Sequence, residues 1–170
     1  MNERARQAAK RLSAALADGL LEIIEDGRGV VARIKADALH RALGALRDDR
    51  TTPFELLAHE TAIDWSAWPA DAEHQRPAER FSLIYNLYSV STRTRIFLEV
   101  ALAEGQAAPS ACEYYASANW AEREIYDMFG IRFIGHPDLR RILMWEGYEG
   151  HPLRKDFPRH GIVPQDFPQE

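Results

Sequence analysis

The alternation of hydrophobic and polar residues predicts a β-sheet in the middle of the chain. In residues 81–90 and 95–102 every second residue is apolar, as in strands with one face in the core. A polar turn at residues 91–94 joins them as a hairpin. A further strand is predicted at residues 54–63, before a polar, proline-containing loop at residues 64–79. The alternating positions are Phe81, Leu83, Tyr85 and Leu87, then Ile96, Leu98, Val100 and Leu102.

The segments before these strands predict two helices and a hairpin. Residues 1–17 form an amphipathic pattern that we interpret as a first surface helix rather than an organelle transit peptide, because Glu3 and Asp18 are acidic. The absence of an apolar core in this segment excludes a secretory signal. Apolar runs at residues 20–25 and 29–34 flank an Asp-Gly turn, which indicates a hairpin. Residues 36–47 have helical periodicity.

A third helix is predicted from Ser110 to about Phe129. Ser110 and Glu113 match a capping box, and Gly130 is a typical helix stop. The order α-β-β-α-β-β-β-α predicts an α+β fold over residues 1–129, with a two-layer mixed β-sheet and helices on one face. The helical face that we expect in the core comprises Ala111, Tyr115, Ala118, Glu122, Ile125 and Phe129.

Residues 130–170 predict an extended irregular C-terminal tail. They hold five of the ten glycines and five of the nine prolines, so we expect little regular structure. The segment is nevertheless too rich in apolar residues for a disordered tail. We therefore expect it to wrap its own domain and to bind a partner.

Composition excludes several classes of protein. With a net charge of −5, the chain lacks the positive charge that nucleic-acid binding uses. The single cysteine, Cys112, excludes an internal disulfide and any iron–sulfur cluster or all-thiolate zinc site held by this chain alone. No apolar run approaches the roughly 20 residues that span a bilayer.

The tail contains a repeated motif. Gly135-His136-Pro137 returns as Gly150-His151-Pro152, and each copy precedes a basic pair. Two interpretations remain open: anchors that bind carboxylates or backbone carbonyls of a partner, or simple turns with solvated cations. The basic pairs are Arg140 with Arg141 and Arg154 with Lys155.

The predicted third helix places a carboxylate on its apolar face. A buried Glu122 needs a partner, and Arg140 or Arg141 of the tail is the expected one. Arg123 and Asp127 are four residues apart and are expected to pair along the helix. We interpret Glu122 as structural rather than catalytic.

The sequence gives only weak support for an enzyme active site in this chain. A metal or phosphate site built from His136, His151 and Glu122 is conceivable, but the histidines lack the spacing of helical metal motifs. The Arg-His-Gly sequence at residues 159–161 lies in a proline-rich terminus, which is unlike its place in histidine phosphatases. No phosphate-binding glycine loop and no nucleophile motif is present in the sequence.

Residues 122–144 and 146–158 closely resemble the 30-kDa subunit family of respiratory complex I, the bacterial form of which is the NADH–quinone oxidoreductase. The family signature is E-R-E, an acid, a histidine and a basic pair at fixed spacing, and every position is filled here. The resemblance covers about the last 50 residues strongly, and the sequence ends soon after Pro158, without the longer tail of some relatives. The matching signature residues are Glu122, Arg123, Glu124, Asp127, His136, Arg140 and Arg141, followed by His151, Arg154, Lys155 and Asp156.

The resemblance implies a non-redox structural subunit in the peripheral arm of a membrane-bound NADH:quinone oxidoreductase. The chain itself would bind no cofactor, while the holoenzyme would use FMN, iron–sulfur clusters, NADH and quinone and would translocate protons. The implied partners are the 49-kDa-type subunit and neighbouring iron–sulfur subunits, on the cytoplasmic side of the bacterial inner membrane or, as the alternative, on the mitochondrial matrix side. A related membrane-bound [NiFe] hydrogenase or a complex with another electron donor is the alternative assignment.

Overall fold

The computed structural model describes residues 2–27, 29–69, 77–158 and 160–161. Residue 1, the predicted turn residue 28, loop residues 70–76 and tail residues 159 and 162–170 lie outside the described residues. In chain order the elements are α1 (Asn2–Leu16), β1 (Leu20–Asp26), β2 (Gly29–Ile34), α2 (Leu39–Arg47), β3 (Leu56–Asp64), β4 (Phe81–Ser89), β5 (Thr94–Leu102), β6 (Ala108–Pro109), α3 (Ala118–Phe129) and β7 (Phe133–Ile134).

Five strands form one mixed sheet in the order β1-β2-β5-β4-β3. The β2–β5 pair is parallel, and the other three pairs are antiparallel. The β4–β5 hairpin closes where Ser89 pairs with Thr94, as the polar turn predicts. The predicted mixed sheet is therefore confirmed.

One hydrophobic cluster joins the helices to a single face of the sheet. It contains the predicted alternating residues of β4 and β5 together with apolar residues of α1, α2 and α3. Because these strand residues share a face, the helices cover that face, and the α+β prediction is confirmed. Tyr115 adds a buried hydrogen bond in this layer, since its hydroxyl donates to the carbonyl of Phe54 at 2.9 Å.

The predicted start of α3 is wrong. The helix begins at Ala118 rather than at Ser110, because the reciprocal half of the capping box is missing: the Ser110 N–H donates to the carbonyl of Ile134 instead of to the Glu113 side chain. The Ser110 hydroxyl donates to Glu122, and the Glu113 carboxylate binds His40. Residues 111–117 form turns instead. The predicted buried positions are nevertheless buried, from Ala111 to Phe129.

The tail has a sheet partner that its sequence does not reveal. Phe133–Ile134 pairs in parallel with Ala108–Pro109, so the chain after α3 returns along the segment that precedes it. Beyond β7 the described tail consists of turns and bends over its own domain, which agrees with the predicted irregular segment. Within the described residues, no helix combines the length and apolar composition that crossing a bilayer requires.

Candidate functional site

The second Gly-His-Pro loop caps the carboxyl end of α3. The Nδ1 of His151 donates to the carbonyl of Asp127 at 2.9 Å, and the Nε of Arg154 donates to the carbonyl of Phe129 at 2.6 Å. Between them, the backbone N–H of Leu153 donates to the carbonyl of Met128 at 3.1 Å. Carbonyls of the last helical turn have no partner within their own helix, so this loop satisfies three of them.

Gly130 makes this docking possible. Its φ of +76° lies in the left-handed region, and a Cβ there would come within 2.5 Å of the His151 Nε2. The imidazole thus occupies the space that any other side chain at position 130 would fill. Burial, together with the nearby Arg154 and Arg141 cations, lowers the pKa of His151, so the ring is neutral and donates from Nδ1.

The first Gly-His-Pro loop holds the opposite end of α3. His136 donates from Nε2 to the carbonyl of Asn119 at 3.0 Å and accepts the N–H of Asp138 at Nδ1 at 2.9 Å. Asn119 and Asp127 are eight residues apart, which is about 12 Å along a helix. The two imidazoles therefore do not converge on one site, contrary to a metal or phosphate site that uses both.

Asp127 organises the chain that follows β7. Its fully buried carboxylate accepts the Arg141 Nη1 at 2.8 Å and the backbone N–H groups of Ile142, Leu143 and Met144 at 3.1, 2.7 and 2.9 Å. Burial opposes ionisation, but these four donors outweigh it and lower the Asp127 pKa. The carboxylate thereby fixes the path of residues 142–144.

The predicted pairing of Arg123 with Asp127 is wrong. Arg123 instead donates from Nε to the carbonyl of Arg140 at 3.2 Å, and its guanidinium lies 5.3 Å from the centre of the Trp120 ring. Asp127 binds Arg141 because the tail folds back over the helix and brings that cation close. The tertiary contact between Asp127 and Arg141 therefore replaces the i,i+4 pair that helical spacing predicts.

The predicted arginine partner of Glu122 is also wrong. Its buried carboxylate accepts the Ser110 hydroxyl at 2.7 Å and the N–H of Ala111 at 2.5 Å, with the Cys112 Sγ at 3.7 Å. Arg140 pairs with Asp138 at 2.9 Å. Glu122 thus ties α3 to the turns before it, and burial raises its pKa despite these donors.

A second buried carboxyl, Glu60 of β3, was not predicted. The residue is only 3% exposed, and among the described residues neither carboxyl oxygen nor the Tyr85 hydroxyl opposite it has a hydrogen bond of normal geometry. Burial, reinforced by the charge of Glu122, raises the Glu60 pKa well above its usual range. Its place in the alternating pattern of β3, two residues before the buried Ala62, was the sign in the sequence that its side chain faces the core.

Two further signature residues fasten the tail to the sheet. The Asp156 carboxylate pairs with Arg80 at 2.9 Å, and the backbone N–H of Lys155 donates to Asp64 at 2.9 Å. Asp64 also pairs with Arg80 at 2.9 Å, and these donors lower its pKa although burial opposes them. Asp64 and Arg80 were not predicted. The side chains of Lys155 and Glu124 are exposed, so they make no comparable internal anchor.

An open groove of about 400 Å³ lies between β3, the first two turns of α3 and the tail. Two of its lining residues are large, apolar and more than half exposed: Trp120 at 67% and Leu143 at 56%. Asp127 positions the tail wall, since it binds the backbone of residues 142–143. We call this the β3–α3 groove; it is lined by Leu57, Ala58, His59, Glu60, Ser117, Trp120, Ala121, Glu124, Ile142 and Leu143.

Three potential metal ligands approach one another beside α3. One ligand atom each from Cys112, Glu122 and His136 lies within 4.8 Å of the others. Both oxygens of Glu122 and both nitrogens of His136 already take part in hydrogen bonds. Burial raises the Cys112 pKa, which favours the thiol over the metal-binding thiolate. The arrangement therefore suits structural hydrogen bonding better than metal binding.

Comparison with known proteins identifies the family. The family model described as "Respiratory-chain NADH dehydrogenase, 30 Kd subunit" matches residues 32–163. An NADH-quinone oxidoreductase subunit from Trichlorobacter lovleyi is 37% identical over 156 residues, which are 91% of this chain and 90% of that protein. Its counterpart from Rhizobium rhizogenes is 48% identical over 118 residues, 69% of this chain.

The lengths of the relatives differ. The chain spans 54% of the Rhizobium rhizogenes protein and 61% of the Rhodobacter capsulatus one. Among solved structures, a trypsin-resistant fragment (1-134) of Nqo5 is 28% identical, with a TM-score of 0.61 over 81% of this chain and 98% of that one. A chain of an archaeal membrane-bound sulfane sulfur reductase shares the fold, at 22% identity and a TM-score of 0.72, over 92% of this chain and 87% of that one.

The chain therefore belongs to the 30-kDa subunit family of the respiratory-chain NADH dehydrogenase.

Proposed function

We propose that this chain is a non-redox structural subunit in the peripheral arm of a membrane-bound NADH:quinone oxidoreductase. Its role is to hold the quinone-reducing module together while electrons pass from NADH to quinone and protons are translocated. The proposal rests on membership of the family and on relatives that are named as subunits of NADH-quinone oxidoreductase.

The geometry of the signature residues supports a structural role. His136, His151, Glu122 and Asp127 are each engaged in hydrogen bonds that fasten the tail or the preceding turns to α3. Within the part of the chain that the structure describes, their bonding partners are the protein's own backbone and side chains. Polar networks that are fully satisfied rigidify a fold, which supports a structural role for these residues.

The surface that results is suited to contact with other subunits. Large apolar side chains of α3 and the tail remain between 49% and 68% exposed: Trp120, Ile134, Leu143, Trp145 and Leu153. Trp120 and Leu143 line the same groove, and exposed large apolar side chains that lie side by side mark protein–protein interfaces. We propose the 49-kDa-type subunit and neighbouring iron–sulfur subunits as the partners, with the chain on the cytoplasmic side of the bacterial inner membrane.

The proposal assigns no cofactor to this chain and assigns FMN and iron–sulfur clusters to its partners. A single cysteine cannot provide the four thiolates of a cluster. We propose Arg140 and Lys155 as the residues of the two motifs that bind carboxylates or carbonyls of a partner, because both side chains are exposed; within this chain Arg140 pairs with the exposed Asp138.

Affinity purification of the tagged chain from its native host, in mild detergent, tests this function. We expect flavin and iron–sulfur subunits to co-purify and the preparation to reduce quinone with NADH. Recovery of a [NiFe] hydrogenase would move the chain to the alternative complex. Recovery of the chain alone would refute the structural-subunit role.

A further inference from the structure

We infer that the loop of residues 145–150 inserts Trp145 into an apolar pocket of a neighbouring subunit, and that lysine or arginine side chains form the rim of this pocket. We call these residues the Trp145 loop. The inference rests on the proposed function, because it names the partner chemistry that a structural subunit would use. It commits to one occupant, a protein surface that is apolar at its centre and basic around it.

The Trp145 loop presents a large apolar side chain to solvent. Trp145 is 52% exposed, although Met144 beside it packs against the hydrophobic core. Met144 therefore holds the segment to its own domain while the indole of Trp145 stays accessible. Tryptophan is highly buried on average in folded proteins, and it is enriched among the residues that dominate binding energy at interfaces. An accessible indole next to a firm anchor is suited to enter a partner.

The loop is preformed by a tight turn. The backbone N–H of Tyr148 donates to the carbonyl of Trp145 at 3.2 Å, and Gly147 between them has the positive φ, +86°, that the third residue of a type II turn requires. The rings of Trp145 and Tyr148 meet edge to face with centroids 4.6 Å apart, and the Tyr148 ring lies 6.3 Å from that of Phe157. Because the indole is already held, its docking costs little conformational entropy.

One ion pair braces both ends of the loop. The Asp127 carboxylate accepts the backbone N–H of Met144 at 2.9 Å, directly before the loop begins. The Arg141 Nη2 donates to the carbonyl of Gly150 at 2.9 Å, where the loop ends. Asp127 and Arg141 bind each other at 2.8 Å. Two of the signature residues therefore fix the position of the Trp145 loop on α3.

The charge of the loop favours a basic partner. Glu146 and Glu149 are exposed, and neither has an ion pair or a side-chain hydrogen bond with the described residues. The cation that contacts the loop, Arg141, is already paired with Asp127. Two uncompensated negative charges thus accompany the indole, and lysine or arginine around a pocket would complement them.

The same two charges argue against a lipid surface as the occupant. Exposed tryptophan and tyrosine side chains are also enriched at membrane interfaces. The cytoplasmic face of a membrane, however, has a negative surface potential that attracts basic segments and repels carboxylates. Glu146 and Glu149 would oppose such an approach, so a protein pocket fits the loop better.

Site-specific photo-crosslinking in the assembled complex tests where the loop docks. Trp145 is replaced by p-benzoylphenylalanine in the tagged chain, which is expressed in the native host, and crosslinked peptides are identified by mass spectrometry. Trp68 is the matched control position, since it is 43% exposed and packs edge to face on Trp65 with ring centroids 5.4 Å apart. We expect position 145 to capture a segment of another subunit that contains apolar residues and lysine or arginine. Position 68 should not capture that segment.

Competition for assembly tests the contribution of the indole. A variant and the wild-type chain are expressed together, and the complex is purified through a tag on the subunit that the crosslink identifies. Mass spectrometry then gives the ratio of the two chains in the complex. Trp145→Ala should enter about one tenth as often as wild type, since truncating a tryptophan buried at an interface weakens binding by about that factor or more. Trp68→Ala should enter as often as wild type.

The same competition tests the basic rim. Glu146→Lys combined with Glu149→Lys should lower entry by about tenfold, because like charges that face each other across an interface repel strongly. Asp37→Lys combined with Glu79→Lys changes the net charge equally at exposed positions outside the loop, and should enter as often as wild type. Thermal denaturation of each purified variant establishes that it is folded.

The outcomes separate this inference from the proposed function. Assembly of the complex without a crosslink from position 145, or with equal entry of Trp145→Ala, refutes the insertion and leaves the structural role intact. A captured segment without lysine or arginine, or equal entry of the variant with lysine at both glutamate positions, refutes the basic rim. Recovery of the chain without any partner refutes the proposed function and this inference with it.

Discussion

The imidazole of His151 occupies the position that a side chain at residue 130 would take. A Cβ on Gly130 would lie 2.5 Å from the His151 Nε2 and 2.8 Å from a guanidinium nitrogen of Arg154. The helix stop and the second Gly-His-Pro loop are therefore one structural unit. The glycine serves both the left-handed turn and the docking of the loop.

Gly130→Ala should destabilise the chain more than Gly105→Ala does. Both glycines have φ near +76°, but nothing lies within 4 Å of a Cβ at Gly105. The control therefore measures backbone strain alone, about 1 kcal/mol, whereas the Gly130 variant adds a clash with His151. Urea unfolding measures stability, and limited proteolysis should cleave the tail of the Gly130 variant faster. Equal effects of the two substitutions would contradict the docking.

Glu122 should be energetically coupled to Ser110 and not to Arg140. Ser110→Ala and Glu122→Ala remove the two ends of one buried hydrogen bond of 2.7 Å, so their effects on the free energy of unfolding should be non-additive by about 1 kcal/mol. Arg140→Ala combined with Glu122→Ala should be additive within about 0.5 kcal/mol, since Arg140 pairs with Asp138 instead. Double-mutant cycles by chemical denaturation provide the comparison. Measurable coupling between Glu122 and Arg140 would instead support the ion pair between them that the helical pattern predicts.

Asp127→Asn should destabilise the chain by about 3–5 kcal/mol at neutral pH, because Arg141 would lose a buried anionic partner. The folded-state pKa of Asp127 lies below its ordinary value of 3.8. Its contribution is therefore complete above that value and is lost as pH falls through the folded pKa. Unfolding measured from pH 2 to 7 should show the wild-type and variant curves converging in acid.

Asp138→Asn is the matched control for Asp127→Asn. Asp138 also pairs with an arginine, but its side chain is 53% exposed. Its replacement should change stability by less than about 1 kcal/mol, as for other surface ion pairs. If Asp138→Asn lowered the stability as much as Asp127→Asn, the three backbone hydrogen bonds to Asp127 would not explain its contribution.

Glu60→Gln should stabilise the isolated chain at neutral and higher pH. The folded-state pKa of Glu60 is raised by burial and by Glu122 of α3, while Tyr85 of β4 offers a weak donor. Protonated Glu60 favours the folded state, so the contribution of Glu60 to stability is complete below the ordinary value of 4.5 and is lost as pH rises through the folded pKa. Glutamine cannot ionise, so the variant should lack this part of the decline.

Differential scanning calorimetry of both chains from pH 4 to 9 measures this effect, with the exposed Glu124→Gln as control. Parallel curves for wild type and Glu60→Gln would show that Glu60 does not titrate abnormally.

Divalent metal should leave the melting temperature of the isolated chain unchanged. A ligand that binds the native state must raise the melting temperature, but binding at Cys112, Glu122 and His136 would first break their existing hydrogen bonds. Thermal denaturation with 0 and about 1 mM Zn²⁺ checks this expectation. A rise that disappears in Cys112→Ser would reveal a metal site instead.

The regular half-buried strands were predictable because one local rule governs them. In β4 and β5 every second residue faces the core, and the predicted boundaries differ from the observed ones by one residue. The helix start at Ala118 was not predictable, because Ser110 and Glu113 satisfy the local capping pattern but bind distant partners. Local motifs fail where tertiary contacts compete for the same side chains.

The same distinction applies to the candidate site. Sequence identified Glu122, Asp127 and the two histidines as important, but it assigned the partners of both carboxylates wrongly. Helical spacing favours Arg123 as the partner of Asp127, whereas the actual contacts come from the tail 14 to 17 residues later. Glu60 was not singled out, because its place in the alternating pattern of β3 shows that it faces the core but not which groups surround its carboxyl.

The β3–α3 groove is assembled from three stretches of chain that are far apart in sequence, so its shape depends on tertiary contacts rather than on any single element. Its walls come from residues 57–60, 117–124 and 142–143, and the last of these is held by the Asp127 carboxylate of α3. A chain with its sheet and helix complete but its tail undocked would lack one wall. The groove therefore depends on the docked tail, and a change that frees residues 142–143 from Asp127 would remove it while leaving the sheet and the helix in place.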